Sequence, residues 1–215
     1  MKGNPVDKIV ELKKLESEIA ADAALPLRES NLVFGEGNPD CKVLFIGEAP
    51  GQNEDREKRP FVGRAGQLLR QMIRDLGWKE SDVYITNIVK RRPPENRDPL
   101  PEEIEAYKPY LSRQIEIIDP KIIVPLGRFS MNYFLPEAKI SRDQGKVFNI
   151  GGHLIVPMFH PAAALRSTQV LDELRASFQK LPAIIQKAES GETMLIELPP
   201  ARVEPKKKPI QKGLF

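Results

Sequence analysis

The sequence predicts an α/β fold in which a central, mainly parallel four-stranded sheet carries helices on both faces. Two observations predict it. Four short apolar runs, KVLFIG (42–47), DVYITNIV (82–89), KIIVPLG (121–127) and HLIVPMF (153–159), have the length and composition of buried strands. Helical patterns lie between them, and strands separated by helices favour a parallel sheet covered on both sides.

The elements follow in order. Residues 6–24 place Ile9, Val10, Leu12, Leu15 and Ile19 at near-helical spacing among charges, which predicts an amphipathic helix. LVFGEGNPD is a loop with a Gly-Asn-Pro-Asp turn. The first strand precedes a helix over 63–77, and the second precedes a helix over 101–119. There Pro101 with Glu102, Glu103 and Glu105 forms an acidic first turn suited to the helix dipole. RFSMNYFL (128–135) reads as a helix after the third strand, FNIGGHLIV (148–156) as a hairpin around Gly-Gly, and residues 172–188 as a last helix. His153, beside that turn, is expected to be exposed. The chain thus divides into an N-terminal helical segment (1–30) on the core, one domain (31–188) and a Pro- and Lys-rich tail (189–215) expected to be flexible, in which MLIEL could pair briefly as a strand.

Composition narrows the classes of function. With 215 residues, 40% hydrophobic and 29% charged, the chain suits one soluble domain plus appendages. No apolar run approaches the roughly 18–20 residues that span a bilayer. The charged N-terminus lacks a signal-peptide core, so the cytoplasm is the expected address. A single cysteine, Cys41, excludes an intramolecular disulfide framework and a Cys-rich metal site. A net charge of +3 is too mild to imply a polyanion partner by itself.

KVLFIGEAPGQNED (42–55) ends a buried strand on Gly47, Glu48, Pro50 and Gly51, with two further acids behind. A tight surface turn would explain this, and so would the floor of a pocket. In open parallel sheets, ligands bind beyond the carboxyl ends of the strands. The second strand runs into Thr86-Asn87, the third into Gly127-Arg128 and the fourth into Phe159-His160-Pro161. Glu48, Asn87 and His160 are therefore expected on one rim of the sheet.

GEAPGQNED, RPFVGRAGQLL, VYITNIVKRRPPENR, IIVPLG and MFHPA, in this order and spacing, resemble family 4 uracil-DNA glycosylases across roughly residues 19–186. The resemblance implies a three-layer α/β/α sandwich and hydrolysis of the bond between uracil and deoxyribose in DNA, initiating base excision repair. Carried onto matching positions, it implies that Asn87 reads uracil O4 and N3–H with one amide, a pattern cytosine reverses. Phe61 would stack on the extruded base. His160 would stand against uracil O2, where its hydrogen bond strengthens as charge develops on the leaving base. Glu48 would stabilise a cationic sugar or orient water. Some related glycosylases carry an aspartate where this chain has Ala49, so water activation falls to Glu48, to another residue, or to no strong base. Glu54 matches a pocket acid that helps to exclude the thymine methyl group, a solvated loop acid being the alternative.

Lys90, Arg91, Arg92 and Arg97, in KRRPPENR, are expected to meet DNA phosphates. HPAAALR occupies the position of a minor-groove loop, with Leu165 as a wedge and Arg166 on phosphate. Ala163 and Ala164 replace the usual bulk there and imply a preference for single strands. No lysine nucleophile for lyase chemistry is indicated, and the basic loop lacks the histidine that a covalent trap in a related group requires.

Family 4 members usually hold an iron–sulfur cluster on four cysteines. Here the matching positions are Ala20, Ala23, Arg91 and Tyr107, so no cofactor is expected. Packing of the first helix, with Tyr107 filling space and Arg91 ion-paired, is expected to substitute. The C-terminal QKGLF resembles the Q-x-x-L-F peptides with which bacterial DNA-processing proteins hold the replication sliding clamp, through Gln211, Leu214 and Phe215. The expected protein is a monomeric, metal-independent uracil-DNA glycosylase. The alternatives are a glycosylase that also removes hypoxanthine or xanthine, and a non-catalytic binder of uracil-containing or single-stranded DNA tethered to the clamp.

Overall fold

The computed structural model describes residues 5–191 and residue 197. In chain order the elements are α1 (Pro5–Ala21), β1 (Glu36–Gly37), β2 (Val43–Gly47), α2 (Gln52–Glu57), α3 (Arg64–Asp75), β3 (Val83–Asn87), α4 (Pro101–Ile118), β4 (Ile122–Pro125), α5 (Arg128–Phe134), α6 (Ile140–Asp143), β5 (Phe148–Ile150), β6 (His153–Ile155), α7 (Pro161–Ala164), α8 (Thr168–Phe178) and α9 (Leu181–Ser190). The strands form one sheet in the order β1-β3-β2-β4-β6-β5. Its four central strands are parallel, as expected, and an antiparallel strand closes each edge. Among the described residues the sheet therefore has six strands rather than four. β5 is the first arm of the expected hairpin, whereas β1, only two residues long, falls in a stretch whose glycines and proline read as loop.

Strand periodicity builds the layers. Successive side chains of a strand point to opposite faces, so Leu44 and Ile46 join Tyr84 and Ile123 in one apolar cluster, while Val43 and Phe45 join Ile85 and Val124 in the other. The first cluster contains Leu12, Leu15 and Ile19 of α1 with Tyr107, Leu111 and Ile118 of α4. The second contains Leu69 and Ile73 of α3 with Leu174 and Phe178 of α8, and the Phe178 ring stacks on Phe45 at 5.5 Å. The result is three layers, helix, sheet and helix.

Several expectations change in detail. Ile9 and Val10 are exposed, so the apolar stripe of α1 begins at Leu12. Lys8 turns inward instead, donating to the Ile118 carbonyl at 2.9 Å at the end of α4. The helix expected over 172–188 is two helices. α8 starts earlier, at a Ser167 cap, and α9 restarts with Pro182 in its first turn, because proline lacks the N–H that would continue the ladder. α2, α6 and α7 are too short to leave a periodic signature. His153 is half-buried rather than exposed, its Nδ1 lying 2.7 Å from the Pro120 carbonyl. Within MLIEL, Glu197 pairs with Phe148, its N–H donating to the Val147 carbonyl at 2.6 Å. Gln211, Leu214 and Phe215 lie outside the described residues.

Register brings the strand ends level. Gly47 pairs with Asn87, the Leu126 N–H donates to Ile46, and the Gly127 N–H donates to Met158, two residues before His160.

Candidate active site

The β2–β3 register sets Asn87 beside Gly47, and the absence of a side chain at Gly47 makes the site possible. A Cβ there would lie 2.3 Å from Asn87 Oδ1 and 2.6 Å from the Phe61 ring. Asn87 is buried, and its position is fixed by the backbone behind it, where the Ile88 and Val89 N–H groups donate to the Gly47 and Glu48 carbonyls at 3.0 Å. Gly127 does the same at the next strand end. It has a φ of +86°, and a Cβ would meet His160 Cβ at 3.0 Å. Around this point Glu48, Ala49, Glu54, Phe61, Asn87 and His160 line a single cavity of about 260 Å³, close to the lower end of ligand pockets, about 300 Å³. The acid, the amide and the imidazole, remote in sequence, do converge.

His160 caps α7 with its own ring. Nδ1 accepts the Ala162 N–H at 3.1 Å, which leaves the ring proton on Nε2. Packing around the ring pushes its pKa down to about 4, with the Glu54 carboxylate opposing only weakly. The imidazole is therefore a neutral donor at physiological pH. Glu48 shifts the other way. Burial raises its pKa to about 7, Asp98 adds to the rise and Arg128 opposes it, so carboxylate and acid coexist near neutrality.

Glu54 is neither a free pocket acid nor a solvated one. Its Oε1 accepts the Val62 and Gly63 N–H groups at 2.9 and 2.7 Å, and its Oε2 accepts the Gly51 N–H at 3.2 Å. It thus ties the start of α2 to the loop carrying Phe61 while still facing the cavity.

The basic loop differs most from expectation. Lys90 does not reach phosphate. It is fully buried, its Nζ donating to Thr86 Oγ1 at 2.6 Å, the Asn87 carbonyl at 2.8 Å and Gln114 Oε1 at 2.5 Å. Burial holds its pKa well below the usual lysine range. Arg91 is also buried. It donates to the Ser30 carbonyl rather than to a carboxylate, and its Nε has no partner. Arg92 is half-buried and donates to Asn96 at 2.7 Å, while Arg97 is exposed at the cavity and paired with Glu103. Leu165 and Arg166, just after α7, are both exposed. Sequence reading missed the exposed Arg128–Asp98 pair at 2.6 Å, whose charges act on Glu48. It also missed Gly47. A glycine between a strand and a polar turn was visible, but nothing local said that two distant side chains close over it.

The residues at the cluster positions do not fit an iron–sulfur group. Ala20 and Ala23 are exposed methyl groups, Arg91 is a cation, and Tyr107 is buried with its hydroxyl donating to the Pro26 carbonyl at 2.8 Å. Cys41 is buried elsewhere, and burial pushes its thiol up to about 12, far from the thiolate that iron needs. Among the described residues, no three His, Cys, Asp or Glu side chains gather as metal ligands.

Residues 34–182 match the family described as the uracil DNA glycosylase superfamily. Three similar proteins carry the name type-4 uracil-DNA glycosylase. That of Sulfurisphaera tokodaii is 44% identical over 79% of this chain and 83% of its own length. That of Thermotoga maritima is 46% identical over 70% and 79%. That of Saccharolobus solfataricus is 48% identical over 70% and 74%.

Proposed function

We propose that this chain, which belongs to the uracil DNA glycosylase superfamily, is a uracil-DNA glycosylase that hydrolyses the N-glycosidic bond of deoxyuridine in DNA. We read it as a monofunctional, cytoplasmic monomer acting without an iron–sulfur cluster. The observation that carries this reading is the convergence of Glu48, Phe61, Asn87 and His160 on one cavity at the carboxyl ends of the strands.

Each group has a task. The Asn87 amide donates to uracil O4 and accepts from N3–H, and cytosine presents the reverse pattern. A pair of this kind is worth about 1–3 kcal/mol of discrimination. Phe61 supplies the stacking face. The Nε2–H of neutral His160 donates to O2, where charge builds as the C1′–N1 bond breaks and its electron pair leaves with the base. The carboxylate of Glu48 stabilises the positive charge growing on the sugar and orients the water that adds to C1′. Ala49 borders the base without competing for that water. Glu54 supports the wall that excludes a thymine methyl group. On the surface, Arg92, Arg97 and Arg166 hold phosphates and Leu165 enters the space left by the base. The terminal Gln211, Leu214 and Phe215 would hold a sliding clamp.

The test is release of free uracil, with multiple turnovers, from single- and double-stranded oligonucleotides, beside hypoxanthine and xanthine substrates. Wild type should release uracil, and Asn87→Ala and Glu48→Gln should abolish most of that activity. A protein that binds these DNAs and releases no base is the non-catalytic alternative. Equal release of hypoxanthine would broaden the substrate range. Deleting residues 211–215 should remove clamp affinity and leave excision unchanged.

A further inference from the structure

Phe61 has a left-handed backbone, with φ of +54°. A bulky residue adopts that region only when its surroundings impose it. Two side chains hold it through its backbone. Glu54 takes the N–H groups of the two residues that follow. Arg70, on α3, takes the carbonyls: its Nε donates to Phe61 O at 2.9 Å and its Nη2 to Pro60 O at 2.9 Å. α3 comes this close because of Gly66, where a Cβ would lie 2.0 Å from the carbonyl carbon and oxygen of Phe61.

We infer that Arg70 is a positioning residue for uracil excision, fixing the stacking ring of Phe61 from outside the pocket. The inference rests on the reading of Phe61 as the stacking face. Arg70 does not line the cavity, so it acts only through the loop. Its guanidinium is itself held in place. Nη1 pairs with Glu80 and Nη2 with Glu36, and Glu36 also binds Arg59, two residues before Phe61, at 2.7 and 3.0 Å. A guanidinium fork can serve two carboxylates and two carbonyls in one plane, whereas the three donors of lysine cannot.

The experiment is a double-mutant cycle on uracil excision by the full chain, using wild type, Arg70→Gln, Arg70→Lys, Phe61→Ala and Arg70→Gln/Phe61→Ala, with thermal stability measured for each. Arg70→Gln should lower kcat/KM roughly 10- to 100-fold, the scale of a misplaced binding group. In the Phe61→Ala background the same change should matter within about twofold, the limit of additivity for independent sites. Arg70→Lys should fall between Arg70→Gln and wild type. Equal losses in both backgrounds, or full activity of Arg70→Gln below its melting temperature, would overturn the inference. If Arg70→Gln does not fold, Glu36→Gln, which removes the carboxylate that holds Nη2, is read in the same cycle with the same outcomes. A wild type that releases no uracil would overturn the reading of the site and this inference with it. An active wild type with additive losses would overturn the inference alone.

Discussion

The rings of Phe61 and His160 lie 5.8 Å apart, centroid to centroid, with their planes inclined at 32°. A base stacked on the first ring therefore brings its edge to the second. Because Nδ1 is occupied by the Ala162 N–H, only Nε2–H is left to donate. His160→Ala should lower kcat about 100- to 1000-fold, the usual loss of one preorganised donor, with a much smaller change in DNA binding. The unfolded chain takes up this proton near 6.5 and the folded chain only near 4. Stability should therefore fall as pH drops through that interval, and His160→Ala should lose that dependence in thermal melts.

Glu48 sets the opposite window. Its carboxyl titrates near 4.5 when unfolded and near 7 in the fold, chiefly because it is buried. If the carboxylate is the working form, the single-turnover rate should rise with pH and level off above about 7. Asp98→Asn should move that rise to lower pH, since Asp98 opposes ionisation. Stability should run the other way, falling as pH climbs from 4.5 to 7, and Glu48→Gln should remove both effects.

Gly47 leaves no room for a side chain at the end of β2. Gly47→Ala drives a methyl group into Asn87 Oδ1 and the Phe61 ring, so the amide or the platform must move. Excision of uracil should fall by at least about tenfold, and discrimination against cytosine should weaken by about 1–3 kcal/mol, the value of one bidentate contact. Comparing kcat/KM for uracil and cytosine substrates checks it.

The central strands were legible because each is a short, mostly apolar run that stops at a glycine or polar residue. That same punctuation announced Glu48, Asn87 and His160. What sequence could not give was the direction of long side chains. KRRPP reads, with Arg97, as four cations facing DNA phosphates, yet the first of them lies behind β3 and hydrogen-bonds the carbonyl of Asn87, three residues earlier. Its acceptors include Gln114, contributed by α4, and no local pattern reveals that pairing. Arg70 was hidden for a similar reason: its partners at 36, 60, 61 and 80 meet only in the fold.

The burial of Lys90 makes a prediction that the sequence alone would have reversed. A phosphate contact contributes close to one counterion to the salt dependence of DNA binding, a slope of about 0.9. Arg166→Ala should reduce the slope of log K against log salt by about that much. Lys90→Met should leave the slope unchanged while lowering thermal stability, because Thr86, Asn87 and Gln114 lose the donor that binds all three. Affinity titrations at several salt concentrations separate the two.

Tyr107 ties the N-terminal segment to α4, and Arg91 ties it to the basic loop. Tyr107 is wholly buried and reaches Pro26, Arg91 reaches Ser30, and Ser30 Oγ returns a bond to the Arg92 carbonyl at 3.1 Å. Tyr110 adds a bond to Asp22 at 2.5 Å. These contacts join the N-terminal segment, the basic loop and α4, the parts that carry the four matched cluster positions, and they do so with a ring and a guanidinium. Tyr107→Phe should cost about 1 kcal/mol, one hydrogen bond, whereas Tyr107→Ala should cost about 3–5 kcal/mol by emptying the ring's volume. Denaturant unfolding measures both. Purified protein should carry far less than stoichiometric iron, and chelators should not change its midpoint. Iron bound at stoichiometry, or a chelator-sensitive midpoint, would mean that the strut is not what holds this join.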